Sequence, residues 1–133
     1  MESSITSERD EAVKNIRPSV ENLAPGATVE EQFENVTIRP ILKLQNSIII
    51  AQFRMYTHKF KPSFNAYNQS IQRNFIEDVM RSDPRIKNSL IASLISLMTL
   101  DEYNYYCSNK TAVNKRIISL LVKRLQNMIE YLY

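Results

Sequence analysis

The side chains able to do covalent or acid–base chemistry are few in this chain. It has one histidine, His58, and one cysteine, Cys107. A Cys–His nucleophile needs the two groups within hydrogen-bond reach, and nothing in the order of the chain brings them there. Cys107 is therefore expected to be a small buried hydrophobe. One Cys and one His fall short of the four ligands of a structural zinc site, so neither a metal nor another cofactor is expected. The single Cys also excludes an internal disulfide.

Paired carboxylates occur at Glu77/Asp78 and Asp101/Glu102. Neighbours on a helix point about 100° apart and cannot share a substrate. Asp101 and Glu102 fall where a helix should begin, which makes helix capping their expected role, as it is for Asp83 ahead of Pro84. With one glycine in the chain there is no loop to cradle a phosphate. The inventory points away from catalysis, and no catalytic, cofactor-binding or metal-binding residue is assigned.

Asn35, Asn68 and Asn109 open N-x-[ST] triplets, a glycosylation signal only in a secreted chain. Asn68 and Asn109 stand where helices should start, and capping explains them. Tyr103, Tyr105 and Tyr106 form the densest aromatic group, and Tyr131 and Tyr133 close the chain. Acidic neighbours at Asp101 and Glu102 argue against base stacking, so packing is the expected use.

Basic side chains are the strongest candidates for function. Arg39, Lys43 and Arg54 lie along the less apolar side of one helical pattern. Lys115, Arg116, Lys123 and Arg124 lie opposite the apolar face of the last. An ordinary solvated face gives the same pattern; a nucleic-acid surface would need the two stripes to share one face of the fold.

The elements that must position these residues read as helices. Five prolines, one glycine and 44% hydrophobic residues in 133 suit helical packing and leave little material for hairpin turns. Residues 1–34 hold three basic and eight acidic side chains, net −5; the rest hold fourteen and six, net +8. Residues 1–27, with breakers at Pro18, Pro25 and Gly26, are expected to be an acidic, largely disordered arm, helical for a turn or two around Ser7 to Ile16. Residues 28–133 are expected to form a single helical domain.

Thr28 with Glu31, and Thr99 with Glu102, have the spacing of capping boxes. From Val29 to Met55 apolar residues or proline recur at steps of three and four, straight through Pro40. The pattern favours one long central helix kinked at Pro40; a helix restarted at Thr37, with Pro40 in its first turn, is the alternative. Beyond Pro40 the apolar arc covers more than half the circumference, which marks a central helix surrounded by others. Further helices follow from Asn68, Asp83, Thr99 and Asn109, so the expected fold is all-α, a compact bundle of four to six helices with a mobile N-terminal arm.

The most apolar segment, Leu90 to Leu100, spans 11 positions and includes two serines and a threonine. It is short of the ~20 residues that cross a bilayer. The N-terminus lacks the basic and apolar regions of a secretory signal. A cytoplasmic protein with no membrane partner is expected.

The segments FENVTIRPILKLQN and NKRIISLLVKRLQ, with DEYNYY between them, resemble a family of short uncharacterised bacterial helical proteins, over a stretch from Thr28 to the C-terminus. Some members are labelled glyoxalase. That label implies a βαβββ module with His and Glu around a metal, and this sequence offers no strands and one His. The expected function is a non-enzymatic protein-interaction or assembly module, acting on a protein partner or on itself as a homodimer. Two alternatives stand beside it: an accessory nucleic-acid binder using the basic body, and a metabolic protein of the glyoxalase label.

Overall fold

The computed structural model describes residues 2–18 and 28–132, with their side chains from residue 8 onward. Among them are eight α-helical segments and no strand, so the fold is all-α. These are α1 (Glu2–Ile16), α2 (Val29–Phe33), α3 (Arg39–Leu44), α4 (Asn46–Phe60), α5 (Gln69–Ser82), α6 (Pro84–Ile95), α7 (Leu100–Ser108) and α8 (Lys110–Asn127). Short 3₁₀ turns occupy Pro62–Ala66 and Ile129–Tyr131. Taking the interrupted path from Val29 to Phe60 as one helix leaves six, the upper end of the expected number.

The starts follow short-range hydrogen-bond codes. The Thr28 hydroxyl accepts the Glu31 N–H at 3.1 Å, and the Asn68 side chain accepts that of Ile71 at 3.0 Å. Asp83 accepts the N–H of Arg85 at 3.0 Å, beside the proline that opens α6. Thr99 and Glu102 make the full reciprocal box. Asn109 departs from expectation: its amide donates to the Tyr105 carbonyl at 3.0 Å and so closes α7 instead of capping α8.

The stretch around Pro40 is neither a simple kink there nor a restart at Thr37. Proline leaves the Val36 carbonyl without its usual donor and crowds it with the ring. The chain responds by widening the preceding turn: Glu34–Ile38 is π-helical, with the Arg39 N–H bonded back to the Glu34 carbonyl. Regular helix resumes through Pro40, which is buried, and stops at Gln45. The Gln45 side chain donates to the Ser93 carbonyl at 3.0 Å, a tertiary bond no periodicity foretells.

Of the arm, α1 is longer than the turn or two expected; residues 19–27 lie outside the described residues, as does Tyr133. Val13 is buried, and Arg9 donates to the carbonyls of Met98 and Ser96 at 2.8 and 2.9 Å.

The chain divides into two compact units, one of Met1–Gln45 and Ser93–Arg116, the other of Asn46–Ala92 and Ile117–Tyr133. Ile38, Ile41, Leu94, Met98 and Val113 are core residues of the first; Ile49, Phe53, Phe64, Met80 and Leu121 of the second. Here the sequence expectation for α4 needs correction. Only part of its wide apolar arc is covered: Ile49, Ile50, Phe53 and Tyr56 are buried, while Ile48, Ala51, Met55 and Phe60 are exposed.

Candidate functional site

In the first unit Arg39 and Arg116, one from each stripe, meet on the carboxylate of Glu34, at 2.9 and 3.2 Å. Lys43 and Lys115 are exposed in the same unit. Glu34 belongs to the π-helical turn, so the widened backbone ahead of Pro40 carries the acid that draws the two arginines together. A shared carboxylate offsets much of their charge, which weakens this pair as an anion-binding patch. In the second unit Arg124 donates to the Asn46 side chain at 2.9 Å, and Arg54 and Lys123 are exposed. Both arginines of the Glu34 pair are about a third exposed. Replacing Glu34 by alanine is therefore expected to cost no more than about 1 kcal/mol in urea unfolding.

A second polar cluster in the first unit was not expected from the sequence. Glu102 does more than cap α7. Its carboxylate takes both terminal nitrogens of Arg17, the Thr37 hydroxyl at 2.7 Å and the Thr99 N–H at 2.8 Å. Arg17 also donates to the Leu97 carbonyl at 2.8 Å. Burial by itself would push the Glu102 carboxyl up, but Arg17, the Thr99 amide and Thr37 together hold it down at about 2, from 4.5. Every acceptor position is used, so the cluster is a structural tie and not a vacant site. Nearby, Arg9 and Asp10 border a hollow of about 350 Å³ beside Leu100 and Tyr103. Their polar groups are engaged too, Arg9 with the two carbonyls and Asp10 with the Leu100 N–H at 3.1 Å.

Of the aromatic group of α7, Tyr105 and Tyr106 pack as expected, while Tyr103 is exposed. Tyr106 is buried with its hydroxyl donating to Asn114 at 2.7 Å, and Tyr105 lies 4.5 Å from Phe33 between ring centres. Cys107, expected to be buried, is exposed, because it falls on the outer side of this short helix. His58 is exposed on α4. No group of three metal-ligating side chains occurs among the described residues, and no helix there is long and apolar enough to cross a membrane.

A further surface feature belongs to the second unit. Between α4 and α6 runs an open groove of about 460 Å³, lined by Ile48, Ala51, Met55 and Phe60 on one side and by Arg85, Ile86 and Ser89 on the other. Ile48 is 48% exposed, Met55 70% and Phe60 39%. One end is built from aromatic and charged groups. Tyr56 donates its hydroxyl to Asp83, and Arg85 grips the same carboxylate through Nε at 3.0 Å and Nη2 at 2.7 Å. The Arg85 guanidinium lies 3.7 Å from the centre of the Phe60 ring, and the Lys59 ammonium 5.3 Å from it. Burial, and then the Asp83 carboxylate, push the Tyr56 hydroxyl up to about 12, so it stays a donor. Hydrogen bonds from Arg85 and Tyr56 hold Asp83 well below the usual carboxylate range.

Of the groove's residues, Ile48, Ala51, Met55 and Phe60 belong to the wide apolar arc whose periodicity predicts burial on all sides. The only signal for a surface role was an apolar arc wider than burial inside a chain of this size requires. Fold and groove together define an all-α protein that presents an apolar helical surface. Comparisons with protein-family models, curated proteins and solved structures find no match for the chain.

Proposed function

We propose that this chain is a cytoplasmic protein-interaction module that engages its partner through the α4–α6 groove. The supporting observation is the exposure of Ile48, Ala51, Met55 and Phe60 along one side of α4, facing a trough rather than scattered over the surface. Contiguous apolar surface of this kind costs solubility and gains free energy when a partner covers it. The polar clusters of the first unit support the reading indirectly, since the carboxylates of Glu34 and Glu102 are engaged in holding the fold.

The test separates docking from folding. Met55→Glu and Ile48→Glu change exposed side chains, so urea midpoints are expected to stay within about 0.5 kcal/mol of the parent. Partner binding, scored as proteins recovered in stoichiometric amount by the parent, is expected to fall at least about tenfold with either variant. Recovery that is unaffected by both substitutions, together with a strictly monomeric chain in light scattering, would defeat the proposal.

A further inference from the structure

We infer that the occupant of the α4–α6 groove is an amphipathic helix of a partner protein whose apolar anchors are flanked by carboxylates. The inference rests on the interaction reading above and adds the chemistry of the partner. Its first ground is shape. Among the groove-lining residues of α4, Ile48, Ala51, Met55 and Lys59 recur at steps of three and four, with Gln52, Tyr56 and Phe60 beside them, and so form a stripe along the helix axis. At about 1.5 Å per residue that stripe is roughly 16 Å long, about three helical turns. Lying beside α6, it forms a trough that receives anchors spaced i, i+3 or i+4, and i+7 on a docked helix.

The second ground is charge. Between Glu34 and Glu77 the chain has six basic residues and no acidic one, so α4 carries Arg54 and Lys59 with no carboxylate of its own. Lys59 and Arg85 are the charged residues that line the groove. Asp83 at this end is held by Arg85 and by the Tyr56 hydroxyl. The Arg85 guanidinium lies over Phe60 with its charge largely offset by Asp83, so it is Lys59, 5.3 Å from the same ring centre, that presents cationic charge at this end of the apolar trough. A helix bringing carboxylates to that end is complementary. A second copy docking through the same groove would bring another acid-free α4, like charge against like. A bilayer is flat, whereas the groove is concave between two helices.

The test displays a library of amphipathic helices, apolar at the anchor positions and randomised to Glu, Ser or Lys beside them, and selects it on the full chain. Selected helices are expected to be acidic over basic by at least tenfold and to lose binding to Met55→Glu. On Lys59→Glu, whose melting curve should match the parent, that excess is expected to shrink or reverse. If helices are selected without charge bias yet still need Met55, the acidic chemistry is overturned while the interaction reading stands. If no helix depends on Met55, both fall. Sedimentation with phosphatidylglycerol vesicles that requires Met55, or self-association that Met55→Glu abolishes, in place of helix selection, would overturn the inference in favour of a bilayer or a second copy.

Discussion

Replacing Glu102 by glutamine is expected to lower stability by about 3 kcal/mol at neutral pH, the low end of the range for breaking one side of a buried ion pair. Glutamine keeps the size and can still serve a capping box, so the loss reports the charge rather than the cap. What it strands is Arg17, whose side chain is 8% exposed and whose Nε already lacks a partner. The same pair predicts an acid dependence with a definite sign. Glu102 is lowered from 4.5 to about 2 on folding. The folded state thus binds this proton more weakly than the unfolded chain, and the stabilisation is complete above about pH 4.5. It is lost as pH falls through about 2, where parent and Glu102→Gln should converge. Urea midpoints of both proteins between pH 7 and pH 2 measure this. A gap that stayed constant across that range would show that the ion pair is not its source.

This cluster marks the limit of what the sequence discloses. The capping half of Glu102 was legible because Thr99 lies three residues away and the code is local. Its other partners, Arg17 and Thr37, lie 85 and 65 residues away, and no spacing rule connects them. The same division holds elsewhere. Thr28, Asn68 and Asp83 act as caps as their positions indicated, while Asn109 turned back to α7 because a neighbouring carbonyl competed for its amide. Pro40 announced an irregularity but not its form. Loss of one N–H can be met by a kink, a restart or a wide turn; the wide turn is accompanied by a local bond from Arg39 to Glu34 and by tertiary bonds from Arg116 to Glu34 and from Thr37 to Glu102.

The groove was hidden for a related reason. Periodicity gives the width of an apolar arc and not which part of it will find a neighbour. Ile48 and Ile49 are adjacent and chemically identical, yet one is 48% exposed and the other fully buried. The basic stripes show the converse. Their positions were legible, but the carboxylate of Glu34 between Arg39 and Arg116 was not, and it changes what those arginines can bind.

Phe53→Ala is expected to cost about 4 kcal/mol, whereas Met55→Ala, two residues along the same helix, should change stability by less than about 0.5 kcal/mol. Phe53 is fully buried, its ring centre 6.4 Å from that of Phe64 in an edge-on contact and 5.8 Å from that of Tyr56. Truncation removes the transfer free energy of the ring and leaves a cavity that its aromatic neighbours can only partly fill. A domain of ordinary stability, about 5–15 kcal/mol, would lose a large share of its margin. Met55 points some 200° away around the helix and has little to lose on truncation. Urea unfolding of the two variants decides whether the inner and outer sides of α4 are assigned correctly; equal costs would refute the assignment. A large difference bears on function as well. If an alanine serves the fold as well as Met55 does, the apolar side chain contributes to solubility only as a liability, and docking is the use that offsets it.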